Sequence, residues 1–271
     1  VGVVVSIILG IVLGITEFLP ISSLGHSLVL AAFFQFPPTK EARDTMSIFI
    51  QLGAVLAVIV YYFPTLVKEL ARVSSDANAR KFWINILIAF IPIGIVGLLF
   101  NTWIKDHLFQ PIIVGLALIV GGIIFLVVEQ REYHPKVKKI EDLSIREALI
   151  VGISQLFALI PGVSRSGATI VGGMLGGLDR SVATLFTFYL FIPTLGSAAG
   201  YELFKTIKDH QLDTSLLPYF LLAAAVGFVV SLGAIRFLLR YISTHNFRPF
   251  GIYRIVIGAI IVILVLVKVI A

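Results

Sequence analysis

The chain has 271 residues, 58% of them hydrophobic and 13% charged, and its mean hydropathy is +1.03. That balance excludes an ordinary soluble domain, whose packed core needs a polar exterior. The net charge of +6 is explained by basic loops facing anionic lipid, not by nucleic acid, and the absence of cysteine removes disulfide and thiol chemistry.

The apolar start, VGVVVSIILGIVLG, lacks a basic leader and a small-residue cleavage site, so it is not read as a removable signal peptide. Hydrophobic runs follow near 45–63, 82–100, 109–129, 181–201, 216–239 and 250–270. At a rise of about 1.5 Å per residue each matches a ~30 Å hydrocarbon layer, which predicts an all-α polytopic membrane protein with six transmembrane helices. Lys and Arg alternate between the connections. Residues 64–81 carry Lys68, Arg72, Arg80 and Lys81; residues 130–146 carry Arg131, Lys136, Lys138, Lys139 and Arg146; residues 236–249 carry Arg236, Arg240 and Arg248. The stretches 37–44, 101–108 and 202–215 are poorer, and placing the basic loops in the cytoplasm orients the chain.

The six runs then cross consistently only if two segments, 1–36 and about 145–178, enter the membrane and return to the side they came from. The first dips in from outside and the second from the cytoplasm. The expectation is an inverted-topology repeat: repeat one spans about 1–129 and repeat two about 145–271, each a re-entrant hairpin followed by three spanning helices, in a single membrane domain. The hairpins contain similar turns, LPISSLGHSL and IPGVSRSGATI, about 141 positions apart. Non-helical backbone at membrane depth is tolerated only against protein or a wet cavity, so the two turns should meet. Helices restarting after Gly25 and Gly167 would aim free N–H groups and positive dipole ends at a shared point suited to phosphate.

Glu17, His26 and Arg165 are the ionisable residues inside the hairpins. Glu17 and Arg165 are read either as a structural buried pair or as functional groups; a buried pair often only breaks even energetically, which favours function. In PGVSRSGAT, glycines let backbone amides approach an anion, Ser164, Ser166 and Thr169 offer hydroxyls, and the Arg165 fork matches phosphate oxygens. Serine caps on a helix would explain the serines but not the arginine. His26 follows Ser23 by three residues, a spacing that suits either acid/base catalysis or a polar group lining a cavity. Gln51 and Gln155 either line the same cavity or bond to a neighbouring helix, and Glu129, Arg254 and Lys268 are read as snorkelling at the ends of spans.

GITEFLPISSLGH, FIQLGAVLAV, FALIPGVSRSGATIVGGMLGGLDR and PFGIYR together resemble the undecaprenyl pyrophosphate phosphatase family, the bacitracin-resistance membrane proteins of bacteria, over essentially the whole chain. The resemblance implies a multi-pass inner-membrane enzyme with its active site open to the periplasmic face. It would hydrolyse undecaprenyl diphosphate to undecaprenyl phosphate and inorganic phosphate, recycling the carrier for cell-wall synthesis, with a divalent cation, Mg2+ or Ca2+. The family's acidic motif carries onto Glu17, its serine pair onto Ser22 and Ser23, its histidine onto His26, and its phosphate-gripping element onto Ser164, Arg165, Ser166 and Thr169. Glu17, Ser23, His26 and Arg165 are the expected catalytic residues, with Glu17 as the metal ligand or the base. Ser22, Gly25, Gln51, Ser164, Ser166, Gly167 and Thr169 are expected to bind substrate. Leu13 stands where the family's acidic motif has its first polar group and Leu24 where a hydroxyl commonly follows the serine pair. A flippase of the polyprenyl phosphate carrier using the same cavity is the rival reading, a catalytically inactive binding protein is a weaker one, and a homodimer is left open.

Overall fold

A computed structural model describes residues 2–34, 36–130 and 134–270. Arg131, one of the basic residues counted above, lies outside the described residues. The described chain is an all-α membrane protein. Five helices form its first half: α1 (Gly2–Thr16), α2 (Ser23–Phe33), α3 (Lys40–Ala71), α4 (Ala77–Leu108) and α5 (Pro111–Gln130). Five more form the second: α6 (Ile145–Gln155), α7 (Arg165–Leu175), α8 (Arg180–Lys208), α9 (Leu217–Ile242) and α10 (Arg248–Leu266). Among the described residues six helices are long and apolar enough to cross a membrane, namely α3, α4, α5, α8, α10 and α9 with its preceding 3₁₀ turn from Thr214.

The helices run further than hydropathy predicts. The stretches 37–44, 101–108 and 202–215 are largely helical, and the loops shrink to a few residues. A helix satisfies its own backbone in water as well as in lipid, so nothing ends it at the hydrocarbon boundary. Its basic residues settle in the last turns, where Lys68, Lys105, Lys205, Lys208 and Arg240 complement the negative dipole end. The following helices start on side-chain caps: Asp76 accepts from Asn78 N–H at 2.7 Å, and Ser144 and Glu147 form a reciprocal capping box on α6.

Hydrocarbon gives no hydrophobic drive between helices, so close backbone approach over small residues must supply the contact. α5 and α10 form the most extensive pair, and they cross glycine on glycine. A Cβ on Gly115 would meet the Gly258 carbonyl at 3.1 Å, one on Gly258 the Gly115 carbonyl at 2.6 Å, and Gly122 and Gly251 are related in the same reciprocal way. α1 lies on α9 through Gly10 and Gly14, which face the Ala223 and Gly227 carbonyls at 2.7 and 2.9 Å, while α6 lies on α4 through Gly152, which faces the Ala89 carbonyl at 2.6 Å. The partners are thus exchanged between halves: the first helix of each packs on the fourth helix of the other.

At one end of the bundle Glu129 is a hub. It accepts from Arg180 Nε at 3.0 Å, from Arg180 Nη2 at 2.5 Å and from the Phe247 backbone N–H at 3.0 Å, and it is buried. This corrects the expectation that Glu129 snorkels to headgroups: it ties α5 to the starts of α8 and α10. A leucine at position 258 should disrupt the α5–α10 crossing. Gly258→Leu is expected to lower the thermal unfolding midpoint in detergent, by an amount equivalent to about 1–3 kcal/mol of overpacking. Gly233→Leu, whose added carbon meets nothing within 4 Å, should leave the midpoint in place.

Candidate active site

α1 and α2 are joined by residues 17–22, and α6 and α7 by a 3₁₀ turn, Leu156–Leu159, followed by residues 160–164. Each second helix begins on a serine with positive φ, Ser22 at 68° and Ser164 at 71°. Non-glycine residues held there cost about 1–3 kcal/mol and persist only where the surroundings over-determine them. The helices therefore restart at Ser23 and Arg165, two residues before Gly25 and Gly167, which corrects the expected restart after the glycines. Both glycines are buried in the first turn for close packing. A Cβ on Gly25 would reach Leu118 Cδ1 at 2.7 Å, and one on Gly167 would reach Arg254 Nη1 at 2.7 Å.

The two turns meet. Ser166 Oγ donates to the Leu19 carbonyl across the hairpins at 3.4 Å and lies 3.2 Å from Ser164 Oγ, which in turn caps the Gly167 N–H at 3.2 Å. Arg254 of α10 holds both turns at once: Nη1 donates to the Pro20 carbonyl at 3.2 Å, and Nη2 to the Val163 and Gly162 carbonyls at 2.7 and 3.3 Å. At 1% exposure it does not snorkel. Carbonyls freed by irregular backbone must find donors at membrane depth, and one guanidinium fork supplies them to two turns. Arg254 is the fifth residue of the 250–270 run, roughly 6 Å along a helix, a depth from which an arginine can still reach an interface, so its burial follows from partners that the sequence does not display.

Arg165, the first residue of α7, is half-buried. Its guanidinium carbon lies 5.4 Å from the Phe191 ring centroid, and its buried Nη1 has no hydrogen-bond partner. The Glu17 carboxyl is buried and faces Ser23 and the charge of Arg165, yet no hydrogen bond or ion pair within 4.0 Å joins Glu17 to Arg165. A closed structural pair is therefore absent, and a donor is left over. On the other side of Arg165 a cavity of about 370 Å³ opens between α4, α8 and the 3₁₀ turn, apolar along most of its wall, with Asn101, Lys105 and Glu202 at its far end. Lys105 and Glu202 are paired there at 2.6 Å.

The remaining candidates are placed differently. His26 accepts or donates at both ring nitrogens, with Nδ1 2.7 Å from the Ser22 carbonyl and Nε2 2.7 Å from the Tyr253 hydroxyl, and its ring stacks on Tyr253 at 5.6 Å. A carbonyl can only accept, so Nδ1 carries a proton, and in the neutral ring Nε2 then accepts from Tyr253. Thr169 is turned away from the cavity. Its hydroxyl donates to the Arg165 carbonyl at 2.9 Å and accepts from Thr187 at 2.8 Å, bracing α7 against α8. Gln51, half-buried on α3, has no hydrogen bond to either turn among the described residues, and the buried Gln155 does not line this cavity and has no hydrogen-bond partner at Nε2.

For a divalent cation the two turns offer one carboxylate, Glu17, flanked by hydroxyls. Among the described residues no group of three His, Asp or Glu converges as a metal cage. Leu13, one helical turn before Glu17, is buried against Met46, Ile50 and Phe220, and Leu24 packs by Leu118 and Ile261. One carboxylate with neighbouring hydroxyls fits a hard divalent cation, Mg2+ or Ca2+, that would draw its remaining oxygen ligands from water and phosphate.

The family model for bacitracin resistance protein BacA matches residues 6–260. An undecaprenyl-diphosphatase of Deinococcus radiodurans is 44% identical over 262 residues, covering 96% of this chain and 94% of that protein. Undecaprenyl-diphosphatase 1 of Chromobacterium violaceum is 47% identical over 256 residues, covering 94% of each, and undecaprenyl-diphosphatase 2 of Rhodospirillum rubrum is 46% identical over 258 residues, 94% of this chain and 92% of that protein.

Removing the Arg254 fork should loosen both turns. Arg254→Met is expected to lower the thermal midpoint in detergent, because each buried carbonyl left unpaired costs about 1–3 kcal/mol. Arg254→Lys should not restore it, since one ammonium cannot span carbonyls of two turns in the fork's geometry.

Proposed function

Because the chain belongs to the bacitracin resistance protein BacA family, we propose that it hydrolyses undecaprenyl diphosphate to undecaprenyl phosphate and inorganic phosphate, recycling the lipid carrier for cell-wall synthesis. The observation that carries this reading is the unpartnered donor of Arg165 at the junction of the two turns, at one end of a cavity whose wall is mostly apolar. A lipid diphosphate has the matching parts: a strongly anionic head for the guanidinium and an apolar tail for the walls.

The head is gripped by Arg165 and by the start of α2, which has no side-chain cap, so its first N–H groups face the same junction as a positive dipole end. These donors neutralise charge on the equatorial oxygens as the terminal phosphoryl group passes from the bridging oxygen to the nucleophile. The P–O bond to the bridging oxygen breaks, and its electron pair stays on the lipid monophosphate. Ser23, beside Glu17, is the nucleophile of one version, with Glu17 taking its proton and water later releasing phosphate. In the other, Glu17 takes the proton of an attacking water. Both versions use Glu17 as the base and Arg165 as the grip on the phosphates, and they differ in whether Ser23 or water attacks. Mg2+ or Ca2+ held by Glu17 would supply further charge neutralisation at the phosphates. Tyr253 keeps the neutral His26 fixed between α2 and α10, in position to handle the proton of the leaving group or of the attacking one. We place residues 1–36 and 145–178 as re-entrant hairpins, Lys138 on the cytoplasmic side, and the substrate's entry on the periplasmic side, supported by the charge alternation of the connections.

Purified protein in detergent is expected to release inorganic phosphate from undecaprenyl diphosphate. Arg165→Ala should cut that release by about 10²–10³-fold, the usual loss on removing a donor to transition-state charge. A flippase of the monophosphate carrier would release none, and that result would overturn the hydrolase reading. For orientation, a cysteine at Lys138, in a chain that has no other, should be labelled by a membrane-impermeant maleimide only from the cytoplasmic side.

A further inference from the structure

Most glycines in the helices of this chain are explained by contact; Gly94, Gly97, Gly196, Gly200 and Gly233 are not, and of these Gly94 and Gly97, both in α4, line a cavity. Gly10, Gly14, Gly152, Gly115 and Gly258 each face a carbonyl of another helix closely enough that a methyl group would collide. Gly94 and Gly97 face none: a Cβ on Gly97 would meet only Leu159 Cδ2, at 3.9 Å, and one on Gly94 only the Phe90 ring of its own helix, no nearer than 3.4 Å. A helix-interior glycine is unfavourable relative to alanine, and here no close approach compensates. What the two share is position. One turn apart, they lie on the same face of α4, and both line the cavity that has Arg165 at its floor.

The opposite wall is small as well, with Ser197 and Ala198 of α8. Each wall also carries a proline beside its lining residues, Pro92 next to Ile93 in α4 and Pro193 next to Thr194 in α8. Proline removes a helical hydrogen bond and bends its helix, so both walls are free to part at the level of the missing side chains. The slot is not sealed from lipid. Leu98 and Phe109 line it and are 69% and 51% exposed on the apolar surface.

We infer that Gly94 and Gly97 form a slot in α4 for the isoprene units next to the diphosphate, and that this slot sets the tail the chain accepts. The inference rests on the reading of the substrate as a polyprenyl diphosphate. The occupant follows from the cavity's lining: a guanidinium with an unpaired nitrogen at its floor suits an anionic head, and apolar walls with exposed Leu98 and Phe109 suit a chain that leaves for the bilayer. At about 370 Å³ the cavity is at the small end of ligand sites, so it holds the head and the first units while the rest of the tail stays in lipid. Glycine leaves room for the methyl branch and flat double bond of each unit, and a larger side chain at 94 or 97 would take that room.

The test is photolabelling of the full chain in detergent with a prenyl monophosphate carrying a diazirine on the isoprene unit nearest the phosphate, followed by peptide mapping. Label is expected on the α4 and α8 peptides that line the slot. Gly97→Leu should reduce it at least tenfold, and Gly97→Ala should reduce it less while raising the thermal midpoint, which shows that the loss is not unfolding. Gly233→Leu, on α9 and away from the slot, should label like the unsubstituted chain. Label concentrated on α5 and α7, around the second cavity lined by Gly121, Gly172 and Arg254, would overturn the slot, as would equal labelling of Gly97→Leu. Phosphate release from undecaprenyl diphosphate separates the two readings. A chain that labels in the slot but releases no phosphate loses the hydrolase reading and keeps the slot, and a chain that turns over but labels elsewhere does the reverse.

Discussion

The structure depends on one constraint: backbone that leaves the helix at membrane depth must find hydrogen-bond partners inside the protein. Two turns interrupt the helices, and each has buried carbonyls that the protein itself must satisfy. Arg254 donates to carbonyls of both turns, and Ser166 adds a bond from one turn to the other. Once the turns are tied together, the positive-φ serines, the starts of α2 and α7, Glu17 and Arg165 are brought to one place. A buried cation satisfied by carbonyls is costly in hydrocarbon, and its use here is what makes the irregular backbone tolerable.

Two arginines divide the work between them. Arg254 gives both of its terminal nitrogens to carbonyls of the two turns, leaving only its buried Nε without a partner, while Arg165 keeps a terminal nitrogen, Nη1, unpaired and so available to a ligand. The two therefore differ in the terminal fork, which Arg254 commits to both turns and Arg165 does not. It also explains why Glu17 does not close on Arg165: a direct pair would consume the donor that a phosphate needs, whereas a carboxyl nearby but unbonded stays free for a proton or a cation. The apolar Leu13 and Leu24, buried in separate clusters, leave Glu17 as the one acidic group of the turns.

Much of this was legible in the sequence because bilayer thickness and backbone satisfaction act on composition. Run lengths located six spans, and the serine, glycine and proline content marked both turns and their likeness. What was not legible depended on three-dimensional partners. The glycines of the turns looked like the points where helices restart, but the restart is set by the unusual backbone of Ser22 and Ser164, and the glycines serve Leu118 and Arg254. Glu129 and Arg254 looked interfacial because distance along the chain was used in place of depth, and only their partners on α8, α10 and the two turns show them as buried anchors. Thr169 looked like a ligand-facing hydroxyl, yet helix periodicity turns it onto α8. Tyr253 stood inside the PFGIYR motif without a role of its own, since that role comes from His26, far away in the chain.

The most direct test of the central claim is whether the two turns touch in the native membrane and whether Arg254 keeps them there. A Leu19→Cys/Ser166→Cys pair, placed where the Ser166 hydroxyl meets the Leu19 carbonyl and otherwise free of competing thiols, can be oxidised or bridged with a short bifunctional maleimide in native vesicles. The account predicts an intramolecular cross-link that forms readily and is lost when Arg254→Met is added. Absence of that cross-link in the otherwise native chain, or its persistence without the arginine, would contradict it.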